Sequence, residues 1–147
     1  MPEIQDRHRK QLAVMRGFLE GRQYYVAAAA MELVRGTEVG TRKDMVTPKL
    51  HHQLSVARLV STLLPHLMYP EETLAAAFLH DLLEDHGHEW TREKLEEKFG
   101  KRVADAVWCL SKKSGGMVKT SESYYGALAL CPAGSIIKLC DRAHNLQ

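Results

Sequence analysis

The sequence has little of what marks several protein classes. Only three cysteines (Cys109, Cys131 and Cys140) occur in 147 residues, widely spaced and with no CxxC pair. An odd, scattered set of thiols excludes a disulfide framework and a Cys-rich zinc site, and reads as reduced, packed thiols in a cytoplasmic protein. The longest apolar runs, Tyr24–Met31 and Leu74–Leu79, fall well short of the roughly 20 residues that span a bilayer, so no membrane partner is expected. Met1–Lys10 is charged throughout and has no apolar core, so no secretory leader is expected there. No basic run stands out from a formal net charge of +2, which argues against a nucleic-acid partner. Alternating segments rich in Val, Ile and Thr are absent, as are internal repeats.

What is present is helix after helix. Hydrophobic residues make up 45% of the chain and charged residues 26%, ordinary values for one globular domain, expected to occupy residues 1–147. Ile4, Leu12, Met15 and Leu19 follow helical spacing up to Gly21, and Arg22–Arg35 is Ala-rich with Gly36 placed to stop it. After a polar loop over Gly36–Val46, Thr47 and Pro48 predict a capped helix start, and Pro65 an end near Leu64. Pro70 opens the next helix, with Glu71 and Glu72 in its first turn, and it is expected to run unbroken to Asp85. Thr91 caps another that ends at Phe99-Gly100, and Val103, Val107 and Leu110 mark its successor. Ser111–Ser121, with Gly115-Gly116 and three lysines, reads as a mobile loop. A short helix over Glu122–Leu130, a turn at Pro132–Gly134 and a last helix capped by Ser135 complete an all-α fold of roughly seven or eight helices.

Charge on the wrong face points to chemistry. The helix from Pro70 is apolar almost all round and then continues as His80-Asp81-Leu82-Leu83-Glu84-Asp85. On a continuous helix these acids and the imidazole share an arc of roughly 140°, a costly cluster to desolvate unless a cation binds. On the helix from Thr47, His52 shares the stripe of Val56, Leu59, Val60 and Leu63, whereas His51 is expected to face water. In the last helix, Ile136, Leu139, Cys140 and Ala143 form the expected core stripe, with Asp141, His144 and Asn145 on an adjoining face. His52, His80, Asp81 and Asp141 thus form a candidate ligand set of two imidazoles and two carboxylates. It suits Mn²⁺ best, with Zn²⁺, Fe²⁺ or Mg²⁺ as alternatives. Glu84 and Asp85, one turn further on, are placed to orient or deprotonate a water.

These residues resemble the HD superfamily of metal-dependent phosphohydrolases, and within it the hydrolase domain of RelA/SpoT-type alarmone enzymes and their small single-domain relatives. The HDxxED motif of that subgroup matches His80–Asp85, and its KLxDRxHN block matches Lys138–Asn145. An Arg-Lys pair ahead of the first ligand matches Arg42-Lys43, and a T…F-G segment matches Thr91 to Phe99-Gly100. The resemblance implies an HD-type helical bundle that removes the 3′-pyrophosphate from (p)ppGpp-like guanosine alarmones in the stringent response. It implies metal ligation by His52, His80, Asp81 and Asp141, and water activation by Glu84 and Asp85. Arg42 falls on the position that packs against the base, Lys43 on one near the phosphates and Asn145 on a nucleotide contact.

The sequence departs from the subgroup in places. A Gly-Glu-Pro-Tyr stretch is replaced by Asp44-Met45-Val46-Thr47-Pro48-Lys49, and Gln53 stands where the family has proline. Counting from Arg42 selects His51 as first ligand; counting from Pro48 selects His52, and helical phase agrees with His52. The chain stops two residues after Asn145, where relatives continue with further helices. Other readings are an HD enzyme acting on deoxynucleoside triphosphates or nucleoside monophosphates, and a non-catalytic nucleotide-binding module. All imply a small nucleotide partner; none fixes the oligomeric state.

Overall fold

Helix α4 (Pro70–Leu79) is the hub, with every side chain from Thr73 to Leu79 buried. That is the outcome expected of a helix apolar all round. A computed structural model describes residues 2–146. Around α4 lie α2 (Tyr25–Thr37), α3 (Lys49–Ser61), α7 (Lys101–Leu110) and α9 (Pro132–Asn145), and α1 (Pro2–Gly21) packs on α2 and α3. The one-turn α5 (Leu82–Asp85) follows α4, α6 (Arg92–Phe99) precedes α7, and α8 (Ser121–Ala129) leads into α9. A 3-10 turn at Leu64–His66 joins α3 to α4, with Pro65 inside it. The fold is all-α, and apart from α5 every α-helix among the described residues has at least eight residues.

Several helix ends differ from expectation for local reasons. Helix α2 starts later, because Gln23 takes a left-handed φ of 59° in the turn. Its first free N–H groups, on Val26 and Ala27, instead donate to the Glu71 carboxylate at 2.9 and 3.4 Å. Gly36 lies within α2 and does not stop it. Thr47 does not cap α3: Pro48 holds that position, and the Thr47 hydroxyl donates to Asp44. Asp44 also accepts from the Val46 and Thr47 N–H groups at 2.9 and 2.8 Å, so its carboxyl is held down at about 2. Those bonds brace the loop that carries Arg42 and Lys43. Helix α9 begins at Pro132, with Cys131 as cap, and the Ser135 hydroxyl donates to the Leu128 carbonyl.

Two differences bear on the site. The expected mobile loop over Ser111–Ser121 contains an antiparallel hairpin of β1 (Lys113–Ser114) and β2 (Met117–Val118). Gly115 and Gly116, at φ 55° and 88°, supply the turn that a two-residue hairpin requires. The hairpin packs on α5 and on the turn that follows it, where a methyl on Gly87 would lie 2.9 Å from the Gly115 nitrogen. The helix from Pro70 does not run unbroken to Asp85 but stops at Leu79. The Ala77 carbonyl, which continued α-helix would offer to the Asp81 N–H, accepts the His80 ring at 2.7 Å.

Candidate metal centre

Three helices deliver the site. His52 comes from α3 and lies on its buried stripe with Val56 and Val60, only 8% exposed. His51, expected to face water, is instead half-buried, with Nδ1 3.0 Å from the Gln11 amide oxygen on α1. His80 and Asp81 occupy the break between α4 and α5. Asp141 comes from α9, whose buried stripe is Ile137 and Cys140. The expected stripe of Ile136, Leu139, Cys140 and Ala143 is corrected here, since Leu139 is 71% exposed and Ala143 is exposed too. The helix is rotated so that Asp141, next to Cys140, turns inward.

The four side chains converge. His52, His80 and Asp81 offer ligand atoms that all lie within 4.8 Å of one another. Asp141 Oδ1 stands 2.8 Å from His52 Nε2 and 3.4 Å from His80 Nε2. The Ala77 carbonyl takes the His80 Nδ1–H, so Nε2 is the ring nitrogen left to face the carboxylates. That Nε2 is buried with no hydrogen-bond partner. Asp81 Oδ2 and Asp141 Oδ1 lie 3.2 and 3.4 Å away but out of line for a bond. Burial by itself would lower the His80 imidazole; the charge of Asp81 and the proximity of Asp141 overcome this and lift it to about 10. Burial would likewise raise the Asp81 and Asp141 carboxyls. The facing imidazoles hold both below the usual carboxylate range.

The chemistry of these donors can be matched to a cation. Two ionised carboxylates facing one buried point call for positive charge there, which the protonated His80 ring supplies until a cation displaces its proton. Nitrogen and oxygen donors without thiolate suit a divalent ion of intermediate character. The residues present therefore fit a divalent metal.

A pocket of about 270 Å³ opens over these groups and is also lined by Glu84, Lys138 and Asn145. Beside it lies a cavity of about 1100 Å³ lined by Lys43, Lys49, Asp85 and Lys113, with Arg42, His52, Asp81 and Glu84 shared by both walls. Glu84 is anchored by the Lys112 N–H, which donates to Oε1 and ties α5 to the hairpin. Asp85 faces only the larger cavity; burial, then the charge of Asp81, raise its carboxyl. Arg42 Nη2 donates to Asn145 Oδ1 at 3.4 Å, and Asn145 Nδ2 donates to Asp141 Oδ1 at 3.4 Å. The loop cation and the α9 carboxylate are thus linked through one amide.

Other residues belong to the site beyond those to which the sequence assigned a role. Gln53 is buried, and its amide donates to Asp81 Oδ2 at 3.2 Å, orienting that carboxylate. Lys138 Nζ lies 3.8 Å from Asp141 Oδ2, one turn earlier on α9. His144 Nδ1 lies 2.7 Å from His52 Nδ1. Their positions next to His52 and within one turn of Asp141 were the available signal. Glu38 had none: it is buried in the cavity wall, 3.5 Å from His86, and burial, then the charge of Asp85, raise its carboxyl.

An all-α bundle with a His, a His-Asp pair and a distal Asp around one point is the arrangement of an HD domain. The family model described as HD domain matches residues 27–114, and the chain belongs to that family. Among curated proteins it is similar to the guanosine-3′,5′-bis(diphosphate) 3′-pyrophosphohydrolase of Haemophilus influenzae, 30% identical over 123 residues, covering 78% of this chain and 17% of that protein. The bifunctional (p)ppGpp synthase/hydrolase SpoT of Escherichia coli is 30% identical over 134 residues, covering 86% and 17%. The Aquifex aeolicus guanosine-3′,5′-bis(diphosphate) 3′-pyrophosphohydrolase is 35% identical over 105 residues, covering 68% and 14%. The chain therefore spans about one sixth of the length of these relatives. No helix among the described residues is long and apolar enough to cross a membrane.

Proposed function

We infer that the chain is a metal-dependent phosphohydrolase that removes the 3′-pyrophosphate from guanosine 3′,5′-bis(diphosphate) and its triphosphate relative. The observation that carries the reading is the buried, unpartnered His80 Nε2 facing the Asp81 and Asp141 carboxylates beneath a cation-lined cavity. The names of the similar proteins support the substrate class.

His52, His80, Asp81 and Asp141 hold the ion in this reading, with Mn²⁺ the preferred metal. When bound, it supplies Lewis acidity to a phosphoryl oxygen and to water. Glu84, in both pocket walls, takes the proton of the attacking water, and Asp85 stands behind it. Arg42, freed from Asn145, offers a planar guanidinium to the base, and Asn145 then has an amide for the nucleotide. Lys43, Lys49 and Lys113 present point charges to the phosphates. Gln53 keeps Asp81 aimed inward.

The test is a nucleotide panel incubated with Mn²⁺ and scored by product. Intact pyrophosphate released from a 3′ position supports the reading. Triphosphate from a deoxynucleotide, orthophosphate from a monophosphate, or no turnover of any nucleotide contradicts it.

A further inference from the structure

His52 is engaged at both ring nitrogens. Nε2 stands 2.8 Å from Asp141 Oδ1, and Nδ1 stands 2.7 Å from Nδ1 of His144. Two nitrogens at that separation require one proton between them. With a single proton on the His52 ring, two assignments fill the contact between the two Nδ1 atoms. In one, His52 carries its proton on Nε2, donates to Asp141 and accepts at Nδ1 from His144. In the other, His52 carries the proton on Nδ1 and donates it to His144. Only the second leaves a lone pair on Nε2 for a cation.

Few side chains suit both states. An imidazole does, because Nδ1 is a donor in one tautomer and an acceptor in the other. His144 is also wedged in place: its ring centroid lies 4.9 Å from that of His52 and 5.5 Å from that of His51. His80 has no such freedom, since its Nδ1 faces the Ala77 carbonyl, which only accepts. The centre thus pairs one ligand of fixed tautomer with one that adjusts.

We propose that His144 is a positioning residue that sets the tautomer of His52 when a divalent ion binds. The proposal rests on the metal centre inferred above. On binding, the His144 Nδ1 proton passes to His52 Nδ1, the His52 Nε2 proton leaves to solvent, and His144 takes a proton from solvent on Nε2. Charge on the pair is unchanged. The same hydrogen bond keeps the His52 ring aligned before and after.

The test compares His144→Asn and His144→Leu in the full chain, using Zn²⁺ as a diamagnetic probe. Asparagine places an amide oxygen or nitrogen where the imidazole Nδ1 stands, so it can also accept or donate. Leucine has a similar shape and does neither. Zn²⁺ affinity is read by competition with a chromophoric chelator, and the His52 tautomer by nitrogen-15 NMR, assigned through His52→Gln. The expected result is a Zn²⁺-loaded wild type with His52 protonated on Nδ1. His144→Leu then binds Zn²⁺ about 10–100-fold more weakly, the usual cost of losing a ligand's hydrogen-bond partner, and His144→Asn recovers most of that loss. Equal Zn²⁺ affinity in all three chains overturns the role of His144 and leaves the metal centre standing. His52 protonated on Nε2 in the loaded wild type overturns it whatever the variants do. Failure of the wild type to bind Zn²⁺ overturns the metal centre and this inference together.

Discussion

Asp141 Oδ1 stands 2.8 Å from His52 Nε2 across 89 residues of sequence. The contact is made because α3 and α9 both turn a polar residue inward from an otherwise apolar stripe, and α4 brings His80 and Asp81 to the same point. Neighbouring positions on the same helices do other work. His51, one residue from His52, bonds Gln11 on α1.

That difference separates two substitutions. His52→Ala removes a ring nitrogen from the centre, and Mn²⁺ affinity is expected to fall by more than the roughly 10–100-fold that loss of a ligand's hydrogen-bond partner costs. His51→Ala is expected to leave affinity within about threefold, with a small loss of stability from the broken Gln11 contact, about 1 kcal/mol. Calorimetric titration of both variants checks this. The reverse ranking means that the first ligand is misassigned.

Glu84→Gln separates metal binding from chemistry. The amide oxygen of glutamine still accepts from the Lys112 N–H, so the tie between α5 and the hairpin is retained. What is lost is the base. Turnover is expected to drop by about 10²–10⁴-fold with Mn²⁺ affinity unchanged, measured by product release under saturating substrate. Wild-type turnover in this variant would pass the role to Asp85.

Metal binding should release a proton. The His80 imidazole of the metal-free chain is lifted to about 10, so over the neutral range it carries a proton that the cation must displace. The sign follows: raising the pH toward that value removes the competitor and strengthens binding, by about tenfold per pH unit for one displaced proton. Titration between pH 6 and 8 in buffers of different ionisation enthalpy measures both quantities. Affinity independent of pH, with no proton taken up by buffer, contradicts the arrangement.

Much of this was legible from periodicity. The all-round apolar face of Leu74–Leu79 identified the buried hub, and the phase of Val56 and Val60 distinguished His52 from His51. Thr91 and Pro70 marked helix starts that the structure keeps. Where periodicity and capping rules failed, a particular side-chain bond had won. The break after Leu79 comes from a ring bonding a backbone carbonyl, and no propensity reports that. Thr47 and Ser135 look like caps, but their hydroxyls found Asp44 and Leu128. The α9 stripe was misread by one residue because Ile136 and Ile137 are both apolar; only packing chose Ile137. The hairpin was signalled by Gly115-Gly116, but its two-residue strands are too short for alternation to show.

The central claim is that one divalent ion sits among His52, His80, Asp81 and Asp141. Its most direct test is Mn²⁺ stoichiometry on chelator-stripped protein, read by electron paramagnetic resonance alongside Asp81→Asn, which preserves shape and removes one charge. One tightly held Mn²⁺ per chain, lost or strongly weakened in the variant while its far-ultraviolet dichroism is unchanged, is the predicted result. No bound Mn²⁺ in the wild type, or equally tight binding in Asp81→Asn, would contradict it.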